Sequence, residues 1–201
     1  MNNHAVKQRN TMKKIVILNG HPNPSSFNKG LVEAYYAGAK TKGVEIKIIT
    51  IADLAFEPNL RFGYQKRMEL EPDLLEAIQL IQWADHLVWI HPVWWGGLPA
   101  LLKGFIDRTF LPGITYQYRD NSLLWDKLLI GKTAHIITTL DQPGWYYRLM
   151  YGRPSVNQLK KSTLQFCGVS KVKVTYIGIV RNSTDAQRAK WLKQVEQLAS
   201  R

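Results

Sequence analysis

The sequence predicts an α/β fold, a five-stranded parallel sheet wound on both faces by helices. Three observations predict it. Five apolar, β-branched segments alternate with segments of helical periodicity. The first, third and fourth of these segments are nearly continuous apolar runs, as strands covered on both faces are. The 201 residues, 45% hydrophobic, suffice for one domain with a full core, expected over residues 13–201.

The elements follow in order. Residues 1–12 are polar and basic and read as a disordered extension. The first strand is Lys14–Asn19 (KIVILN), followed by a helix over Asn28–Lys42 with apolar or aromatic residues at 31, 32, 35, 36 and 39. The second strand is Val44–Ile51, and Asp73–Trp83 repeats the helical pattern through Leu74, Leu75, Ile78, Leu80 and Ile81. The third strand is His86–His91. The helix Pro99–Phe110 opens on proline, which suits a first turn. The fourth strand is Thr133–Thr139. A helix over Pro154–Phe166 opens in the same way, with Gly168 placed to end it. The fifth strand is Lys171–Gly178, and Thr184–Leu198 closes the chain with Thr184 or Ser183 as N-cap. The crossovers are expected to be right-handed.

Composition narrows the function. No apolar run approaches the roughly 18–20 residues that span a membrane. The N-terminus lacks the apolar core of a secretory signal, so a cytoplasmic location is expected. Cys167 is the only cysteine, which excludes an intrachain disulfide and fits a buried core residue. The net charge of +12 is spread along the chain without a basic run or a nucleic-acid module. It reads as a solvated basic surface that attracts phosphorylated cofactors rather than nucleic acid.

Three connections are too long for simple turns: Ala52–Pro72, Leu111–Lys132 and Leu140–Arg153. Ligands of open α/β sheets bind at the carboxyl ends of the strands. After the first strand the chain runs Asn19-Gly20-His21-Pro22-Asn23-Pro24-Ser25-Ser26-Phe27-Asn28 into a helix. Ser25, Ser26 and Asn28 would add side-chain donors to a helix N-terminus, which is good chemistry for a phosphate. The same residues also suit an ordinary capped helix. The glycine spacing is neither that of a Walker loop nor that of a Rossmann turn. His21 has no partner at metal-ligand spacing, and no metal is expected.

After the third strand comes His91-Pro92-Val93-Trp94-Trp95-Gly96-Gly97-Leu98-Pro99. Two tryptophans and two glycines between a buried strand and a helix suit a flat ring, because glycine lets backbone N–H groups approach its edge. Packing of the aromatics into the core is the alternative.

At these two loops the chain resembles the NAD(P)H:quinone oxidoreductase family, which includes DT-diaphorase, bacterial drug-activity modulators and potassium-efflux ancillary reductases. The resemblance is carried by His-Pro-x-Pro-x-Ser-Phe-Asn at 21–28 and by the stretch from His91 to Phe110. Further matches are Thr-Tyr-Gln-Tyr at 115–118, Gly-Lys-Thr-Ala at 131–134, Thr-Thr at 138–139 and Phe-Cys-Gly at 166–168. It implies a flavodoxin-like three-layer sandwich with strand order 2-1-3-4-5, and hydride transfer from NADPH or NADH through flavin N5 to a quinone-like acceptor in a ping-pong cycle.

The resemblance also implies residue roles. His21, Ser26, Phe27 and Asn28 would hold the flavin phosphate. Pro92, Val93, Trp94, Trp95 and Gly96 would line the ring, with Thr138 and Thr139 on its other side. Arg188 would lie near the adenosine end, which tips the choice towards FAD over FMN. A homodimer is implied, with Tyr116, Tyr118 and Phe166 covering the partner subunit's substrate pocket; read from the residues alone, Tyr116 and Tyr118 are alternating strand positions.

Two departures stand out. The family's Thr-Thr-Gly-Gly is here Thr138-Thr139-Leu140-Asp141, so Asp141 brings a negative charge towards the flavin. A histidine five residues after the family's catalytic tyrosine is here Tyr151. Tyr146 and Tyr151 are therefore expected as a donor pair, since a phenol with pKa about 10 does not carry the extra proton as imidazole does. Asp107 and Arg108 read as structural. The competing functions are a regulatory flavoprotein subunit of a membrane transporter, with residual reductase activity, and an electron-carrier flavodoxin, which the basic charge disfavours.

Overall fold

The computed structural model describes residues 13–200. The extension expected at 1–12 lies outside the described residues. The elements are β1 (Lys14–Asn19), α1 (Phe27–Lys40), β2 (Glu45–Thr50), α2 (Pro72–Trp83), β3 (His86–Pro92), α3 (Ala100–Thr109), β4 (Tyr116–Tyr118), β5 (Trp125–Lys127), β6 (Thr133–Leu140), α4 (Gly144–Leu149), α5 (Pro154–Asn157), β7 (Lys171–Gly178) and α6 (Asp185–Ala199).

The main sheet has five parallel strands in the order β2-β1-β3-β6-β7. The expected order 2-1-3-4-5 is matched only when β4 and β5 are left out of the count. These two form a separate antiparallel hairpin inside the Leu111–Lys132 connection, and their three-residue strands are too short to show a period. Burial separates the strands as the apolar runs anticipated. After their first residue, the central β1, β3 and β6 are buried throughout, whereas β2 and β7 are partly exposed edges.

Alternating side chains feed two cores. Val16, Leu18, Trp89 and Ile136 pack against α2 and α3 on one face. Ile17, Val88, Ile90 and Ile137 pack against α1 and α6 on the other. The two helices on that second face approach so closely that a Cβ on Gly38 would lie 2.0 Å from the Glu196 carbonyl oxygen, so only glycine fits there. Cys167 is buried in the first core, and burial pushes its thiol pKa up.

The helix expected over Pro154–Phe166 is present but changes its winding. After α5 it continues over Gln158–Gln165 as a π-helix, and Thr163 Oγ1 donates to the Gln158 carbonyl five residues back at 3.0 Å. Arg108 and Asp107 are structural, as expected. Arg108 is 1% exposed and donates to the Glu57 and Glu69 carbonyls and to the Glu71 carboxylate, pinning the Ala52–Pro72 connection across α3. A buried guanidinium needs such a set of partners to offset its desolvation. Asp107 accepts from Lys103 one turn earlier.

Candidate active site

The loops after β1, β3 and β6 meet at the carboxyl edge of the sheet. The chain leaving β1 is coiled by its own side chains. Asn19 Oδ1 accepts the His21 N–H at 3.2 Å, His21 Nδ1 accepts the Asn23 N–H at 2.9 Å, and Asn23 Oδ1 accepts the Ser25 N–H at 2.9 Å. Such bonds stabilise turns. With Nδ1 accepting, the imidazole proton sits on Nε2, and partial burial holds the pKa of His21 below its ordinary value.

This network fixes the loop without capping the helix that follows. Ser26 stands at the N-cap of α1, yet its side chain makes no cap bond. Ser26 Oγ and Asn28 Nδ2 are buried atoms without a partner among the described residues. Asn28 itself is 2% exposed, and its Oδ1 accepts from Thr139 Oγ1 at 3.1 Å, so the amide NH2 is the group left over. Leaving a buried donor unpaired costs about 1–3 kcal/mol. An anion at the helix start would relieve both donors and meet the positive end of the helix dipole.

After β3, Trp94 and Gly97 exchange backbone hydrogen bonds of 3.2 and 2.9 Å. Between them Trp95 has φ 49° and Gly96 φ 77°, which makes a tight turn of type I′. Glycine suits that conformation, but Trp95 carries a Cβ into it at a cost of roughly 1–2 kcal/mol. Its ring is fully exposed, so core packing does not hold it there. The N–H groups of Trp95 and Gly96 have no acceptor among the described residues. The turn is held from behind: the Gly96 carbonyl accepts from Tyr147 Oη at 2.9 Å and from the Ser155 N–H at 3.1 Å. Tyr147 is fully buried and also shares a 2.7 Å bond with Ser155 Oγ.

The loop after β6 supplies the facing wall. Leu140, Asp141 and Gln142 join Val93, Trp94, Trp95 and Gly96, with Tyr151 and Arg181, around a cleft of about 560 Å³. Ligand pockets are commonly of this size. Asp141 does not present a free negative charge there. Its carboxylate accepts the Arg181 N–H at 2.9 Å and lies 3.4 Å from Arg181 Nε.

The expected site residues divide accordingly. His21, Ser26, Asn28 and Thr139 gather at the start of α1, and the edge of the His21 ring meets Trp94 at 5.5 Å. Val93, Trp94, Trp95, Gly96, Asp141 and Tyr151 line the cleft. Pro92 ends β3 as a buried residue whose carbonyl lies 3.0 Å from Nδ1 of His91. Phe27 turns its ring towards Trp191, with the Arg188 guanidinium 6.0 Å above it, so Arg188 stands beside the start of α1.

Thr138 is not brought to the cleft. Strand alternation sends it to the face opposite Thr139, where it is buried and donates to the His91 carbonyl at 3.1 Å. Tyr146 lies beside Tyr151, ring centroids 5.8 Å apart, but only Tyr151 borders the cleft.

Tyr116 and Tyr118 line a separate cleft of about 670 Å³ with Leu60, Tyr64 and Arg67. Phe166 backs it, stacked on Trp125 at 4.4 Å and edge-on to Tyr116 at 5.0 Å. This cleft is the larger, but it is the other that is bordered by the Trp95 and Gly96 amides without an acceptor among the described residues. Sequence reading missed Tyr147, Ser155 and Arg181. The six-residue α4 that carries Tyr147 is too short to announce a buried face.

A family model described as flavodoxin-like fold matches residues 13–199. The NAD(P)H dehydrogenase (quinone) 1 of Cavia porcellus is 26% identical over 217 residues, covering 93% of this chain and 78% of its own. Among solved structures, Smu.1420 from Streptococcus mutans superposes with a TM-score of 0.80 at 34% identity, over 93% of this chain and 98% of that one. An FMN-dependent NADH-azoreductase from Bacillus anthracis, in complex with FMN, gives a TM-score of 0.70 at 19% identity over 94% and 98%. At that identity the likeness is one of fold. Among the described residues no helix is long and apolar enough to cross a membrane.

Proposed function

Because the chain belongs to the flavodoxin-like fold family, we propose that it is a flavin-dependent NAD(P)H oxidoreductase that reduces a quinone or a similar small acceptor. One observation carries this reading: among the described residues Ser26 Oγ and Asn28 Nδ2 are buried without a partner at the start of α1, and the loop before it meets, through His21 and Trp94, a turn whose Trp95 and Gly96 N–H groups have no acceptor. A phosphate suits the first set, and the electron-rich edge of a flavin suits the second. Arg188, beside the same helix start, makes FAD the first candidate and FMN the second.

A bound flavin would supply the redox chemistry, hydride transfer between a nicotinamide and the acceptor. The chain's own part is positioning. Ser26, Asn28 and the first amides of α1 would hold the flavin's phosphate. Tyr147 and Ser155 hold the Trp94–Gly97 turn rigid, so that its amides need no reorganisation. Trp94 and Trp95 give the ring an apolar wall, and Arg181 neutralises Asp141 on the facing side. Tyr151 offers a phenolic donor at the rim. The cleft accepts donor and acceptor in turn, and the basic surface favours NADPH.

The active unit is a homodimer in this reading. Tyr118, Leu123, Leu124 and Ile130 leave the hairpin region with an exposed apolar surface, which supports its burial against a second copy over that copy's cleft.

The test is the absorption spectrum of the purified protein, mass identification of the released chromophore, and NADPH oxidation with a small quinone. A bound flavin and turnover of about 1 per second or more are expected. A colourless protein that takes up neither FAD nor FMN would end the proposal.

A further inference from the structure

At the amino-terminal edge of the sheet, opposite the proposed flavin end, lies a cavity of about 490 Å³ lined by both polar and apolar residues. It opens on the face covered by α1 and α6. In the first two rows of that face, register places Ile15, His86, Thr133 and Lys171 side by side, then Ile17, Val88, His135 and Lys173. Ile17, Val88, Ile90 and Ile137 on this face belong to its core, whereas His86, Thr133, His135, Lys171 and Lys173 bring polar and charged groups into its first two rows.

Lys13, Lys42, Lys171 and Lys173 surround the cavity, and none of its described lining residues is a carboxylate. Of the nearby acids, Asp85 accepts the Lys14 N–H at 2.9 Å, and Glu45 sits exposed at the start of edge strand β2. Glu196 lies on α6, whose last turns flank the cavity together with the end of α1. Those two helix C-termini contribute roughly half a negative charge each, well short of offsetting four ammonium groups.

The polar floor is ordered. His86 Nδ1 lies 2.6 Å from Thr133 Oγ1, and its Nε2 lies 3.4 Å from Tyr35 Oη. His135 Nε2 lies 2.8 Å from Thr175 Oγ1, and its Nδ1 has no partner among the described residues. Burial, helped by the lysine charges, lowers the pKa of both histidines to about 4. Four cations over two neutral imidazoles form a site with positive charge to spare and one ring nitrogen, His135 Nδ1, without a partner among the described residues.

We propose that this cavity binds a compact phosphorylated small molecule carrying two or more negative charges, at the pole of the sheet opposite the cofactor. The lysines supply the attraction, His135 and Thr133 hydrogen-bond the phosphate oxygens, and the bound charge offsets the lysine charges that add to the effect of burial on the histidines. Binding therefore takes up protons, and the histidines' contribution to affinity grows as pH falls from about 6 towards their free value of about 4.

The experiment titrates the full-length flavin-loaded protein with pyrophosphate at constant ionic strength, following the His86 and His135 ring resonances by NMR. The expected result is a saturable shift of both rings with apparent pKa values raised by about one unit or more, and at least tenfold weaker binding in the Lys171→Gln/Lys173→Gln variant. The Lys160→Gln/Lys161→Gln variant, with the same loss of charge elsewhere, is expected to bind as the parent does. A nucleoside diphosphate that binds more tightly than pyrophosphate would assign the site to an organic phosphate, and equal or weaker binding to the bare phosphate group. A shift that does not saturate, that sulfate reproduces equally, or that both lysine variants weaken alike would overturn the proposal.

Discussion

Helices α1 and α6 lie side by side and begin at the same edge of the sheet, yet they begin differently. Ser26 and Thr184 occupy the two N-caps with nearly the same backbone, φ −75° and ψ 163° against φ −77° and ψ 162°. Thr184 closes a capping box: its Oγ1 accepts the Gln187 N–H at 3.2 Å, and Gln187 Oε1 accepts the Thr184 N–H at 2.9 Å. Ser26 has Lys29 where Thr184 has Gln187, and its hydroxyl stays buried and unpaired. Backbone geometry alone therefore does not decide whether a helix start is satisfied. One start completes itself and serves stability, while the other is left incomplete for a ligand to finish.

The largest expected effect tests the incomplete end. Asn28→Ala removes a buried donor to the proposed phosphate, and hydrogen bonds to charged groups are worth about 1.5–3 kcal/mol. Flavin affinity is expected to fall roughly 10- to 150-fold, since about 1.4 kcal/mol is tenfold. Ser26→Ala is expected to cost about tenfold in affinity by the same conversion. Isothermal titration of flavin into the apoprotein reads both. The sharper sign is in the apoprotein's own melting temperature, which Ser26→Ala is expected to leave unchanged or raise, because an unpaired buried hydroxyl is removed. A clear drop would show that Ser26 caps its helix as Thr184 does, and the contrast would fail.

The second effect concerns the turn that meets the loop before this helix through Trp94 and His21. Tyr147→Phe keeps the ring but removes the hydroxyl shared by the Gly96 carbonyl and Ser155. Leaving those buried groups short of a partner is expected to cost about 1–3 kcal/mol of stability, read by urea unfolding. Flavin affinity should fall less than in Asn28→Ala, because the turn would loosen while the phosphate grip stays. An equal or larger loss of affinity would mean that the turn, and not the helix start, dominates binding.

What the sequence disclosed follows the same division. Continuous apolar runs identified β1, β3 and β6 because both faces of those strands are buried. The edge strand β2 was read one residue too long at each end, since exposure blurs its limits. Residue type alone pointed to Ser26, Asn28 and the Trp94–Gly97 turn, because donors before a helix and glycines beside aromatics are local signals. Thr138 was grouped with Thr139 as one motif, although a strand necessarily sends neighbours to opposite faces. Tyr147 and the Arg181–Asp141 pair were not legible: each depends on contacts between segments far apart in the chain. The π-helical winding was not legible either, because a stretch this short does not separate i+4 from i+5 bonding by its apolar spacing.

The smallest expected effect tests the complete end. Thr184→Ala removes the Oγ1 that accepts the Gln187 N–H and keeps the backbone N–H of position 184 that donates to Gln187 Oε1, so half of the capping box remains. Loss of an N-cap threonine costs about 1 kcal/mol, a small shift in the urea midpoint for a chain of 201 residues. Flavin affinity is expected to stay within about twofold, since a closed box offers a ligand nothing; a twofold change is only about 0.4 kcal/mol. Arg188 gives this variant its discriminating power. It lies on the first turns of α6, donates to Ser183 Oγ at 2.9 Å and reaches over Phe27 at the start of α1. If fraying α6 displaced Arg188 enough to weaken flavin tenfold, the two helix starts would be one coupled site rather than two ends with separate duties. The ratio of lost stability to lost affinity therefore separates the readings: high for Thr184→Ala and low for Ser26→Ala if the ends are independent, similar for both if they are not.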